Sequence, residues 1–320
     1  GRLLPAPGAD PADLLREGAG GRLAGLTVIS ATDGNHGRAL AAAAQTVGCR
    51  CVIVLHAKVS AERERAIAAY GAEIRRVGAA YDESVGAAAE LAAANGWHVV
   101  SDTSYAGYEE IPRDVMQGYG AIAAEALEQT ASQADAPAFS HVLLQGGVGG
   151  LAAGVASYLW EFHGARRPRL IVVEPHQADC LAQSALAGEA ARTAGDGDSL
   201  MAGLACGAAS PLAWRFLQGC VDDCLAISDG AAISAMRLLA AGVDADPPIV
   251  AGESGAAGFA GLIALAEEPA LAAATGLDSQ SRVLLINTEG ATDPAAYREL
   301  VGASPAAVTE RQAAWLAANR

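Results

Sequence analysis

Long apolar runs, positive charge and lysine are what this sequence has least of. No stretch of about 18 or more uncharged apolar residues occurs, and the opening residues GRLLPAPGADPADLL have no basic start leading into an apolar core. Neither a membrane span nor a signal peptide is therefore expected, and the cytoplasm is the expected location. Acidic residues outnumber basic ones 36 to 21, a formal charge of −15. That balance argues against a nucleic-acid groove, which needs clustered Lys and Arg to neutralise phosphates. Among the 21 basic residues only Lys58 is a lysine. Six cysteines in 320 residues make no disulfide framework, and neither Cys49-Arg-Cys51 nor Cys220-Val-Asp-Asp-Cys224 has the spacing of a zinc site. Cys180 and Cys206 fall in two loops expected near a site, and the sequence leaves their pairing open. No metal site is expected, since His56, His98, His141, His163 and His176 are scattered without ligand spacing.

What is there in quantity is apolar content, 52% of the chain, enough to bury a large core in one or two domains. Strand-like runs at 26–30, 51–56, 73–77, 97–101, 141–144, 170–173, 225–228 and 283–287 alternate with Ala-rich stretches of helical length, among them 37–47, 61–70, 82–94, 114–131, 151–163 and 229–241. Such alternation predicts α/β architecture, with parallel sheets covered on both faces. Two doubly wound sheets are favoured over one, because a compact series of four strands is followed by a longer helix and a second series. Pro112 marks the expected boundary between a smaller α/β domain, residues 26–113, and a larger one, residues 114–320. Residues 1–25 read as the remnant of a preceding segment, and RTAGDGDS at 192–199 as a surface loop or a lid.

Chemistry concentrates where strands end. ATDGNHGRAL, residues 31–40, follows a β-branched run and opens a helix, so unpaired amides and the positive end of a helix dipole lie under Asp33, Asn35 and His36. His36 is expected to support the turn. LLQGGVGGLAAG, residues 143–154, also joins a strand to a helix and reads as a phosphate-binding loop. Alone it is compatible with a dinucleotide, since Gly147-Val-Gly149-Gly-Leu-Ala152 approximates that fingerprint and Glu174 ends the next strand where a ribose-binding acid would fall. SDTSYAGY (101–108), MAGLACG (201–207), AGESGAAG (251–258) and NTEGATDP (287–294) also fall at element ends, the edge at which parallel sheets bind ligands. A nicotinamide-binding oxidoreductase would not need this set.

The ordered series TDGNHGRA, SDTSYAGY, QGGVGG, VVEPHQADC, MAGLACG, GESGAAG and NTEGATDP resembles the diaminopropionate ammonia-lyase family, from about residue 22 onward. That family belongs to the pyridoxal-phosphate enzymes of the threonine dehydratase and tryptophan synthase β type, so the resemblance implies two doubly wound domains of fold type II. It implies that Gly146, Gly147, Val148, Gly149 and Gly150 hold the phosphate of pyridoxal 5′-phosphate, that Asn35 bonds the ring hydroxyl, and that Thr288 faces the ring nitrogen. It implies a homodimer that converts 2,3-diaminopropionate and water to pyruvate and two ammonia. Asp33 departs from the dehydratase pattern, where a small hydroxyl residue precedes Gly-Asn-His. A carboxylate beside the substrate carboxylate is unfavourable unless the substrate carries a second cation, as a diamino acid does. Asp33 is expected to act as a base on the α-proton or to hold the β-ammonium; the resemblance also implies turnover of both enantiomers, hence a base on each face, and Asp33 and Asp102 are the expected pair. A turn or capping role is the competing reading for each.

The family also implies a Schiff-base lysine upstream of the DGNHG turn, and none is present; Lys58 follows the turn and reads as a solvated surface residue. A truncated chain is the expectation, with a relative that has abandoned the chemistry as the alternative. The remaining alternatives are a serine or threonine dehydratase and a non-catalytic binding protein.

Overall fold

The computed structural model describes residues 23–32, 34–57, 59–78, 81–243 and 245–319. It consists of two compact units that divide between Ser101 and Asp102. The first carries strands β1 (Thr27–Ala31), β2 (Arg50–His56), β3 (Glu73–Val77) and β4 (His98–Val99), joined by helices α1 (Asn35–Val47), α2 (Ala61–Ala68) and α3 (Tyr81–Asn95). All pairings are parallel, in the order β3-β2-β1-β4. The central strands are apolar on both sides because both are covered. Cys51, Ile53 and Leu55 pack with Ala41 and Ala44 of α1 and Ile67 of α2. Val52 and Val54 face the opposite way, onto Ala88 and Ala92 of α3.

The second unit repeats the plan with β5 (His141–Gln145), β6 (Arg169–Pro175), β7 (Asp223–Ile227) and β8 (Val283–Leu285), again parallel, ordered β7-β6-β5-β8. Its helices are α4 (Glu110–Gln129), α5 (Gly150–His163), α6 (Cys180–Ala187), α7 (Pro211–Leu217), α8 (Asp229–Ala241), α9 (Ala257–Glu267), α10 (Pro269–Thr275), α11 (Pro294–Val301) and α12 (Pro305–Ala318). Val142, Leu144, Leu170 and Val172 pack with residues of α4, α5, α6 and α7, while Leu143, Ile171 and Val173 pack with α8, α9, α11 and α12. Both units are doubly wound, as the alternation predicted. Pro112, the expected boundary, lies buried in the first turn of α4. The segment 192–199 is a tethered surface loop, with the Thr193 hydroxyl donating to Asp179 Oδ1 at 2.7 Å and the Gly197 amide to the Gln177 carbonyl at 2.8 Å. Among the described residues no single helix is long and apolar enough to cross a membrane; α9 and α10 reach that length together only across a 109° bend.

In each sheet the chain runs outward from the first strand for two crossovers and then returns to that strand's other side. The order of strands therefore reverses between β1 and β4 and between β5 and β8. At such a point two neighbouring loops leave the sheet in opposite directions and open a crevice above the strand ends.

Small residues let α4 and α5 approach closely. A Cβ on Gly154 would lie 2.3 Å from the Met116 carbonyl oxygen, whereas one on exposed Gly118 would meet nothing within 4 Å. Gly154→Ala is expected to cost about 1–3 kcal/mol in urea unfolding, and Gly118→Ala, on the same pair of helices, to gain about 0.5–1 kcal/mol.

Candidate active site

In the first unit, the chain leaving β1 is shaped by Thr32. Its buried hydroxyl accepts from the amides of Gly34 at 3.1 Å and Gly37 at 3.2 Å, satisfying donors that the start of α1 would otherwise leave unpaired. A Cβ on Gly37 would fall 2.3 Å from the Thr32 methyl carbon, which explains the glycine of the Asn-His-Gly turn. Asn35, exposed, is the first residue of α1. His36 sends Nε2 to within 2.9 Å of the Val100 carbonyl, joining the loop after β1 to the chain after β4 across the point of strand-order reversal. The expected supporting role fits this contact. Asp33 and Lys58 lie outside the described residues.

In the second unit, the loop after β5 turns sharply into α5. Gly147 has φ +65° and Gly149 φ +96°. Two of the glycines are fixed by packing: a Cβ on Gly146 would fall 2.4 Å from Glu174 Cγ, and one on Gly149 would meet Leu217, Leu181 and Ala213 between 3.0 and 3.2 Å. The Gly146 amide donates to the Val173 carbonyl and the Gly149 amide to the Gly146 carbonyl. The amides of Gly147, Val148, Gly150, Leu151 and Ala152, by contrast, have no partner among the described residues, and no side chain caps α5. Backbone donors and the positive end of the α5 dipole thus converge on one spot. That is the donor set a phosphate ester requires, and the residues present fit the phosphate of pyridoxal phosphate.

The neighbouring loops are tied to this one. A Cβ on Gly147 would stand 3.2 Å from the Gly203 carbonyl oxygen and 3.6 Å from Cys206 Sγ. The Gly203 amide donates to Ser254 Oγ at 3.0 Å, and the Ser254 amide to Glu289 Oε2 at 3.1 Å. Thr288, half-buried, stands between Glu289, whose carbonyl accepts from Gly252 at 2.7 Å, and Asn287, whose Nδ2 donates to the Val250 carbonyl at 2.9 Å. The Gln145 amide group spans the reversal between β5 and β8, donating to the carbonyls of Ile286 at 2.6 Å and Gly255 at 3.2 Å. Its buried Oε1 has no partner among the described residues.

Asp102 is half-buried beside the start of α5, its carbonyl oxygen 3.6 Å from where a Gly150 Cβ would lie. Burial, and then the charge of Asp102, push the Tyr119 hydroxyl up to about 12. Asp102 lies ahead of α4, which begins at Glu110, and its Oδ1 accepts from the Thr103 hydroxyl at 3.5 Å. Two residues on, buried Ser104 bonds the Ser210 hydroxyl at 2.9 Å and accepts from the Leu212 amide at 2.9 Å, while the Ser210 amide donates to the Val148 carbonyl at 2.9 Å. The Asp102 segment is thereby fastened to the glycine loop through α7. The structure brings Asp102, Gly146–Gly150 and Thr288 into one linked set of loops, and places Asn35 at the corresponding position of the first unit.

Sequence reasoning missed Thr32, Ser104, Ser210 and Gln145, which hold the site loops. Single hydroxyl and amide residues near strand ends are too common to signal this by themselves. The reading of Glu174 as a ribose-binding acid is corrected. Its carboxylate is fully buried and accepts from the amides of Leu181 at 2.9 Å and Ala182 at 2.8 Å, capping α6. No disulfide joins any cysteine among the described residues.

The family described as "Pyridoxal-phosphate dependent enzyme" matches residues 12–289. Diaminopropionate ammonia-lyase of Escherichia coli (strain K12) is 40% identical over 279 residues, covering 86% of this chain and 70% of that protein. A crystal structure of the holo form of the Escherichia coli enzyme superposes with a TM-score of 0.80 at 39% identity, over 86% of this chain and 69% of that one. The biosynthetic L-threonine dehydratase of Haemophilus influenzae is 31% identical over 236 residues, 73% of this chain and 42% of that protein.

Burial raises the Glu174 carboxyl from 4.5 to about 7, an effect that its two amide bonds only partly offset. The folded chain therefore holds more protons than the unfolded one between these values, and the contribution of Glu174 to stability falls as pH rises through that window. Urea unfolding at about pH 5 and about pH 8 should show Glu174→Gln gaining on the parent by up to about 3 kcal/mol at the higher pH.

Proposed function

The chain belongs to the pyridoxal-phosphate-dependent enzymes, on their diaminopropionate ammonia-lyase branch, and from that premise we propose that it serves the elimination of 2,3-diaminopropionate to pyruvate and two ammonia. The observation that carries the reading is the row of unpaired amides on Gly147, Val148, Gly150, Leu151 and Ala152 at the start of α5. Pyridoxal phosphate, when bound, supplies the electron sink that makes the α-proton of an amino acid removable. The residues of the chain do the remaining work. The glycine loop grips the phosphate through the backbone, without a cationic side chain. Asn35 is the partner for the ring hydroxyl and Thr288 for the ring nitrogen. A neutral hydroxyl at that nitrogen leaves it largely unprotonated, which suits loss of a β-substituent, a reaction with modest demand on the sink.

Asp33 and Asp102 are the bases that remove the α-proton, one for each enantiomer. The start of α1 favours an ionised Asp33, and the β-ammonium of the substrate compensates for its negative charge beside the substrate carboxylate. A homodimer working in the cytoplasm on a small amino acid belongs to the same proposal and rests on the family resemblance. A second reading, a cofactor-binding chain without catalysis, is favoured by one observation: the sequence holds no lysine other than Lys58, which follows the Gly-Asn-His turn.

Fluorescence titration with pyridoxamine 5′-phosphate tests the site without needing a lysine. Binding should be at least about a hundredfold tighter than that of unphosphorylated pyridoxamine, and Gly147→Asp, which sets a charge against the phosphate, should remove the difference. Equal binding of the two compounds would refute the phosphate site. In a lysine-bearing version of the chain, Asp33→Ser should lower diaminopropionate turnover at least about tenfold, followed as pyruvate release. Unchanged turnover of both enantiomers would remove Asp33 from the mechanism.

A further inference from the structure

The glycine loop has an acidic backing that its phosphate role does not explain. Glu174, at the end of β6, is fully buried and packs against the backbone of Gly146: a Cβ there would lie 2.4 Å from its Cγ and 3.2 Å from its Oε1. The Cys180 thiol bridges the two, 3.3 Å from the Gly147 carbonyl oxygen and 3.8 Å from Glu174 Oε1. The titratable groups that face this carboxylate are Asp179 and Cys180, at the start of α6, and Cys224 on β7, with Cys206 next to Cys180. None of these is basic, and among the described residues the carboxylate accepts hydrogen bonds only from the Leu181 and Ala182 amides and the Cys180 thiol.

A buried carboxylate without a cation, one residue from amides that receive a dianion, sets like charges close together in a poorly screened interior. Resting on the cofactor reading above, we propose that Glu174 takes up a proton from solvent as the phosphate dianion binds, so that a carboxyl group outside the ligand's reach sets the pH range of cofactor affinity. No electrons move, and the proton passes from buffer to the carboxylate oxygen. Glu174 then acts as a positioning residue: protonated, it supports Gly146 without repelling the phosphate. Burial already brings this carboxyl up to about 7, so the proton is available near neutrality.

Calorimetric titration of the chain with pyridoxamine 5′-phosphate, in buffers of different ionisation enthalpy, reads the proton directly. At about pH 8, binding should take up a proton, and affinity should fall by up to about tenfold per pH unit above neutrality. An infrared difference spectrum of the unsubstituted chain should gain the band of a protonated carboxylic acid on binding. Glu174→Gln should bind with a flat pH profile above neutrality, the titrations of the ligand itself being common to both proteins. Undiminished proton uptake in Glu174→Gln, or binding by the parent with no uptake and no new carboxyl band, would overturn the linkage while leaving the cofactor reading intact. Absence of pyridoxamine 5′-phosphate binding at every pH would overturn both.

Discussion

The reversal of strand order at β5 is the constraint on which the second unit depends. With β6 on one side and β8 on the other, β5 is buried on both faces, so its five residues His141–Gln145 are held from every direction. The loop that follows must turn away immediately, and the helix it enters points its free amides into the crevice left by the reversal. The first unit obeys the same constraint around β1. In each unit one side chain bridges the reversal: His36 to the Val100 carbonyl, and Gln145 to the Ile286 carbonyl. These contacts use main-chain acceptors that β4 and β8, short edge strands, leave outside the ladder.

The glycines of the loop divide their labour. Gly146 and Gly149 are small because Glu174, Leu181, Leu217 and Ala213 occupy the space a side chain would need, which is a packing requirement. Gly147 adopts a positive φ and, with Val148 and the first residues of α5, leaves its amide unpaired. Packing and binding are therefore not competing accounts of one motif. The first fixes the turn so that the second needs no cationic side chain, and this is how a chain with so few lysines can hold a phosphate.

Much of the architecture was legible in the residues. All eight strand candidates are strands: the central ones are apolar runs because both their faces are covered, while the edge strand β3 carries Glu73, Arg75 and Arg76. Two of the boundaries are informative. Residues 97–101 and 283–287 were expected to pair throughout, yet only His98–Val99 and Val283–Leu285 do so, since an edge strand has one neighbour and the remaining residues turn into site loops. The short helices α6, α7 and α10 carry too few turns for a periodic pattern to single them out.

The sequence by itself determined the alternation of strands and helices, the two-sheet plan and the glycine turn. Each follows from local steric preference and from side-chain periodicity along a few consecutive residues. The tertiary structure alone decided what Glu174, Ser104, Ser210 and Gln145 are for. Their partners lie far along the chain, as Ser104 and Ser210 show at 106 residues' separation. A carboxylate at the end of a strand reads the same whether it faces a ribose or closes over a helix start. Only the packing of β6 against the glycine loop, which removes water from Glu174, gives it a different chemistry.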